Sequence, residues 1–305
     1  GMFSVIATQA SAITFLSAPG QAYTDGMRFV QFYFGMPLAL IVVCAVFLPR
    51  FSTLNIFTAY QYLEERFNVQ TRVLTAFLFL LLRGLSAGLT IYAPALILSS
   101  LFGWNIFYAN VMMGSLVIVY TISGGSRAVS VTQFQQMIVI SIGMMLAGIM
   151  VVHLLPAEIG FFNALHIAGS LDKLNTITIN FDFNDKYTIW SGLLGGFFLS
   201  LSYFGTDQSQ VSRYLSGKSA DESRKGLLMT GFVKIPMQFM ILLIGALLIV
   251  FYQFNTSPIF FNQSLLNKVK QTEYAAQIDA LEEQHEFITL EKSKVASNIL
   301  LSEEN

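Results

Sequence analysis

Long stretches that are almost free of charge dominate this 305-residue sequence and constrain its fold more than any other feature. Seven apolar segments are each close to or above the roughly 20 residues that a helix needs to cross the hydrocarbon core of a bilayer. They run over residues 3–23, 28–49, 72–101, 105–122, 132–155, 187–212 and 226–252. Only 11% of the residues are charged, whereas soluble domains carry roughly 25%. The sequence therefore predicts an all-α integral membrane protein with about seven transmembrane helices.

Basic residues predict how these segments are oriented, because the short loops on the cytoplasmic side of a membrane are enriched in lysine and arginine. If the segments alternate in direction, the loops on one side hold Arg50, Arg66, Arg72, Arg127, Arg213, Lys218, Arg224 and Lys225. The opposite loops hold only Arg28, Lys173 and Lys186 before the charged tail. We therefore expect a multi-pass protein of the plasma (inner) membrane, in contact with the lipid bilayer, with the residues after about 252 extracytoplasmic.

Enzymatic and nucleic-acid functions find no support in the residue pattern. The single cysteine, Cys44, lies inside an apolar segment and excludes a disulfide framework or a cysteine metal site. His153, His166 and His285 are isolated, and no phosphate-binding loop or nucleophile–base arrangement occurs. Basic patches with interleaved aromatic residues are absent as well. We predict that the protein is not an enzyme and does not bind nucleic acid.

The first apolar segment, residues 3–23, is interrupted in its middle. Its polar residues are Thr8, Gln9, Ser11, Thr14 and Ser17, and the segment ends in Pro19-Gly20. A spanning helix normally satisfies its own backbone, so polar residues near a Pro-Gly step favour a helix that unwinds at depth. Such broken helices form the ion and substrate sites of secondary transporters. An ordinary spanning helix whose polar face packs on its neighbours explains the same pattern, and both interpretations stay open here.

Two basic residues lie inside apolar segments and are candidates for binding an anion. Arg83 shares one helical face with Ser86 and Thr90, and its planar guanidinium suits a substrate carboxylate. A charge near mid-membrane requires a wet cavity or a partner, and the free carbonyls of a broken helix are an alternative partner for Arg83. Lys234 lies about six residues into the last segment, where it either faces a cavity or extends to the membrane surface.

Four separated motifs resemble the sodium/solute symporter family. They are SAITFLSAPGQAY, TAYQYLEERF, YTISGGSRAV followed by Gln136, and FGTDQSQVSRYLSGKSADESRKG. The resemblance covers residues 3 to about 252 and implies an inverted-repeat bundle of the leucine-transporter type. The transporter core would occupy residues 1–252, with the first repeat at about 3–155 and the start of the second at about 187–252. Residues 253–305 would form an extracytoplasmic amphipathic helical segment. Because the rest of the second repeat is missing, we expect the chain to be a fragment of a longer transporter.

The same resemblance assigns roles to individual residues. The backbone carbonyls of Ala7 and Ala10 would bind sodium, and Ser11 and Thr14 would line the substrate pocket. Tyr203 resembles an inner gate aromatic, and Lys234 matches a lysine that sugar carriers keep. Two positions depart from the family pattern: Tyr33 replaces a Glu or Gln of sugar and sialic-acid carriers, and Gln133 replaces an aspartate, which weakens a second sodium site.

These observations predict sodium-coupled solute symport across the membrane, with the sodium ion as the coupling ion. The predicted substrate is a small organic anion or sugar acid that Arg83 attracts. One alternative is a sodium-coupled sugar or polyol carrier in which Arg83 is structural. Another is the transporter-like membrane domain of a sensor kinase.

Overall fold

A computed structural model describes residues 12–53, 58–182, 184–215 and 219–301. Within these ranges every regular element is a helix, and no strand occurs. The first half comprises α1 (Ala12–Asp25), a 3-10 helix (Gly26–Tyr33), α2 (Gly35–Val42), a π-helical turn (Val43–Phe47), α3 (Leu48–Thr53), α4 (Ala59–Arg66), α5 (Val69–Phe102) and α6 (Ile106–His153). The second half comprises α7 (Phe161–Ser170), a π-helical turn (Ser191–Gly195), α8 (Gly196–Thr206), α9 (Gln208–Leu215), α10 (Ala220–Phe254), α11 (Gln263–Val269) and α12 (Ala275–Leu301).

Five stretches of the described chain are long and apolar enough to cross a membrane, and they confirm the prediction of a multi-pass helical membrane protein. They are Thr14–Thr53, Val69–Phe102, Ile106–Gly125, Val131–His153 and Ala220–Phe254. The count differs from the predicted seven for two reasons. The described parts of the first two predicted segments fall within the single stretch Thr14–Thr53, in which Gly26 makes a turn, and the sixth is divided into the shorter helices α8 and α9.

Two glycines with positive φ divide the long helical stretches into separate segments. Gly26 has a φ of 74° between α1 and the following 3-10 helix, and a Cβ there would lie 3.1 Å from the carbonyl oxygen of Lys173. Gly125 has a φ of 58° and interrupts α6 between its two membrane-length parts. Glycine adopts this backbone conformation without the steric cost that other residues bear. The turn at Gly125 agrees with the Gly-Gly step in the sequence.

The core forms around α10, which packs against α1 from the first half of the chain and against α7 from the second. One apolar cluster joins α1 to α10 through residues such as Ala18, Ala22, Ile241 and Leu242, and a second joins α7 to α10. A third cluster places α2, α3 and α4 against α8, α9 and the start of α10. By contrast, α5 and α6 leave most of their apolar side chains exposed within the described chain. Of the elements that form this core, α2, α8 and α10, together with the 3-10 helix before α2, line the candidate site.

Candidate functional site

A cavity of about 310 Å³ lies between the 3-10 helix and α2 on one side and the helices α8 and α10 on the other. It is lined by Phe29, Phe32, Tyr33, Met36, Leu199, Ser200, Tyr203, Phe204 and Lys234. The first four residues come from the 3-10 helix and α2, the next four from α8, and the last from α10. The wall is mainly aromatic and aliphatic, and its side-chain polar groups are two tyrosine hydroxyls, one serine hydroxyl and one ammonium.

Lys234 is the charged residue of this cavity, and it is 6% exposed. Its Nζ lies 5.7 Å from the centre of the Tyr33 ring, within the range of a cation–π contact. The placement follows from α10, which starts at the capping residue Ser219 and continues for 35 residues without a break. Lys234 therefore lies about four turns into a continuous helix, too far from its first residue to reach bulk water easily.

Tyr203 lines the same cavity near the end of α8. Its hydroxyl accepts a 2.8 Å hydrogen bond from the Nε2 of Gln210 in α9. Between the two helices, Asp207 has an extended backbone, and its side chain accepts a 2.8 Å hydrogen bond from the N–H of Ser209. The capped break thus brings α9 back toward Tyr203. The gate role of Tyr203 stays a prediction, but the structure places its ring in the cavity wall.

Two other predicted site residues, Arg83 and Thr14, do not line this cavity. Arg83 is exposed on α5 and does not line the cavity. Thr14 lies in the first turns of α1, partly buried. Ala7, Ala10 and Ser11 lie outside the described residues, so the predicted sodium ligands and one predicted substrate residue stay predictions.

Gln238 is a second polar side chain of α10, and the sequence pattern did not single it out. It is fully buried, and neither its Nε2 nor its Oε1 has a hydrogen-bond partner within the described part of the chain. A buried amide without partners is costly, which makes such a group a marker of a bound ligand or ion. One helical turn separates Gln238 from Lys234, so both lie on similar faces of α10. That i, i+4 spacing inside an apolar helix is the signal by which the sequence could have revealed Gln238.

Gln133, which replaces an aspartate of the family pattern, lies beside α9. Its Oε1 accepts a 2.9 Å hydrogen bond from Arg213. The guanidinium also donates from Nε to the carbonyl oxygen of Ser209, at 3.2 Å. This contact ties the second part of α6 to the helix that follows the break at Asp207.

Comparison with known proteins identifies the family of this chain. The family model described as the sodium:solute symporter family matches residues 1–278. The chain belongs to the sodium:solute symporter family. Its relatives in this family include the human sodium-coupled monocarboxylate transporter 1, with 34% identity over 73% of the chain and 36% of the relative. The human sodium/iodide cotransporter is 31% identical over 74% of the chain and 34% of its own length. The Oryctolagus cuniculus sodium-dependent multivitamin transporter is 29% identical over 86% of the chain and 40% of its own length.

A solved structure of the family also shares the fold. The substrate-bound, outward-open state of a Na⁺-coupled sialic acid symporter superposes with a TM-score of 0.77 at 29% identity. The match covers 97% of this chain and 62% of the symporter chain. The chain therefore spans about a third to two fifths of the length of these curated relatives, and under two thirds of the length of the solved symporter. The predicted family and fold class are confirmed.

Proposed function

We propose that the protein that carries this chain transports a small organic anion together with sodium, and that the ammonium of Lys234 binds the anion. The observation that carries the proposal is a buried lysine in the wall of a cavity of about 310 Å³ inside a membrane helix bundle. Ionisable residues inside a membrane are costly, and they mark substrate and ion pathways. Cavities of this size accommodate small ligands.

The rest of the cavity wall supports an anion with an apolar body rather than a sugar acid. Five of its nine lining residues have apolar side chains, and Tyr33 adds the apolar face of its ring. The five are Phe29, Phe32, Met36, Leu199 and Phe204. A polyhydroxylated substrate needs a hydrogen-bond partner for each hydroxyl that it brings out of water. Few such partners line this wall, whereas an aliphatic or aromatic tail would pack well against it. A small monocarboxylate, the substrate class in the name of the monocarboxylate relatives, satisfies both the charge and the wall.

Sodium coupling is proposed from the family, since the relatives' names describe sodium-coupled and sodium-dependent carriers. The carbonyls of Ala7 and Ala10 are the proposed ligands. Gln238 is a fully buried amide of α10, the helix that packs against α1, and it is a further proposed ligand of the ion. If sodium raises the affinity for the anion, the anion must raise the affinity for sodium by the same factor.

Uptake by proteoliposomes tests this proposal on the full-length natural protein. With an inward sodium gradient, we expect uptake of lactate and butyrate, and weaker uptake of glucuronate and glucose. Lys234→Gln should raise the KM for lactate about tenfold or more, because a contact to a charged group is lost. The matched control is Lys225→Gln, which removes an exposed lysine from the same helix and should leave the KM unchanged.

Two results would contradict the proposal. Uptake that is equal with and without sodium would remove the coupling. If Arg83→Gln abolished lactate uptake while Lys234→Gln did not, the anion would bind at Arg83, as the sequence pattern first suggested.

A further inference from the structure

A second cavity of about 310 Å³ lies beyond Phe204, between α3, α4, α5 and the end of α8. Its lining residues are Val46, Phe47, Arg50, Phe51, Ala59, Tyr60, Tyr62, Leu63, Thr75, Gly205 and Thr206. None of them lines the cavity around Lys234. The wall is formed mainly by aliphatic and aromatic side chains, and Val46, which is 41% exposed, lies on the outer surface of the protein. The second cavity is therefore an apolar pocket that lies apart from the candidate substrate site.

Arg50 is the charged residue of this pocket. It lies in the last turn of α3 and is exposed. No acidic side chain within the described part of the chain forms an ion pair with it. Glu64 of the adjoining helix α4 pairs with Arg72 of α5 instead. The pocket thus combines an apolar interior with a positive charge at its edge.

The surroundings indicate what occupies such a pocket. Arg50 directly follows an apolar membrane segment, and it belongs to the loops whose basic residues predict the cytoplasmic side. Anionic lipids of the cytoplasmic leaflet attract basic residues at this depth. An acyl chain matches the aromatic and aliphatic wall, and a phosphate matches a guanidinium that can donate two parallel hydrogen bonds.

We propose that this pocket binds an anionic phospholipid, with one acyl chain in the apolar interior and the phosphate on Arg50. The proposal is independent of which solute the protein carries. It adds a lipid site at the contact of α3, α4, α5 and α8, next to the break at Asp207 that positions Tyr203.

Native mass spectrometry of the detergent-solubilised protein tests the site with two lipids of identical acyl chains. We expect phosphatidylglycerol to be retained more than phosphatidylcholine. Arg50→Gln should lower phosphatidylglycerol retention about fivefold, the effect expected from one basic residue near a membrane surface. Arg66→Gln is the matched control, because Arg66 is an exposed arginine in the last turn of α4 that does not line the pocket. Its retention should equal that of the wild type.

A second variant tests the apolar half of the site without changing charge. Val46→Trp places a large ring at the mouth of the pocket and should lower retention of phosphatidylglycerol. Equal retention of both lipids by the wild type would overturn the proposal, as would wild-type retention in Arg50→Gln or Val46→Trp. Displacement of the lipid by inorganic phosphate alone would assign the site to a free anion. Dimers that lack lipid and dissociate in Arg50→Gln would assign the pocket to a second copy of the chain, and either result would also overturn the proposal.

Discussion

At the scale of single residues, the buried ammonium of Lys234 determines what the candidate site can bind. An ion inside protein loses several kcal/mol of solvation, and polar or aromatic contacts recover only part of that cost. The contact with the Tyr33 ring, at 5.7 Å, is worth on the order of 2 kcal/mol when it is shielded from water. The cost of burying this charge inside a membrane helix bundle therefore points to a functional role for it.

We therefore expect Lys234→Met to separate stability from function. Methionine keeps most of the side-chain volume and removes the charge, so the melting temperature in detergent should stay equal or rise. Uptake of organic anions should be lost at the same time. Lys225→Met, in the exposed part of α10, should change neither quantity. A large fall in the melting temperature of Lys234→Met would instead show that the lysine stabilises the fold and would weaken its assignment to substrate.

At the scale of secondary-structure elements, a glycine-lined contact sets the width of the candidate site. A Cβ at Gly196 would lie 2.1 Å from the carbonyl oxygen of Phe32, and one at Gly192 would lie 2.6 Å from that of Gln31. On the opposite side, a Cβ at Gly35 would lie 2.3 Å from the N of Phe197. The two backbones thus touch directly, as small residues permit in membrane helices. The cavity opens immediately beyond this contact.

Substitution of Gly196 should therefore be far more harmful than substitution of its neighbour. Gly196→Ala forces two backbones apart, and overpacking of this kind costs about 1–3 kcal/mol. A Cβ at Gly195 would be 3.6 Å from the Phe32 ring, an ordinary contact, so Gly195→Ala should be neutral or slightly stabilising. Unfolding of both variants in detergent, followed by circular dichroism, compares them directly. Equal free energies of unfolding would show that the contact is looser than the structure describes.

The same elements show which features the sequence could reveal. A membrane helix must satisfy its own backbone, so apolar length alone predicted the helical bundle. Charge inside apolar segments identified both Lys234 and Arg83, but it could not show which of them faces a cavity. That choice depends on the rotation of each helix against its neighbours. Gln238 was missed because a neutral amide changes hydropathy little, and its importance appears only from burial without hydrogen bonds.

At the scale of the whole molecule, polar contacts on the side opposite to the Arg50 pocket join the two halves of the chain. Arg28 forms a 2.7 Å ion pair with Asp185, and Lys186 forms a 3.0 Å ion pair with Asp25. The fully buried Gln31 donates to the carbonyl oxygen of Tyr187 and accepts from the N–H of Thr178, both at 3.1 Å. These contacts hold the loop before α8 against the start of the 3-10 helix. The apolar contacts between α1 and α10 join the two halves of the chain as well.

The Arg28–Asp185 pair should make part of this connection sensitive to acid. The backbone N–H of Tyr187 and the Arg28 guanidinium lower the pKa of Asp185 below its ordinary value. A carboxyl with a lowered pKa stabilises the fold above its unfolded-state pKa of about 3.9, and this contribution disappears as the pH falls through the folded-state value. Asp185→Asn should lower the melting temperature by about 1–3 °C between pH 5 and 7, because an ion pair that stays partly open to water contributes little. That difference should shrink as the pH falls below the unfolded-state pKa of about 3.9, and it should close once the pH is below the lowered folded-state pKa, where the wild-type carboxyl also loses its charge. Glu158→Gln, at an exposed loop position, should show no difference at any pH. A gap between wild type and Asp185→Asn that stays constant down to pH 3 would mean that the charge of Asp185 does not stabilise this connection.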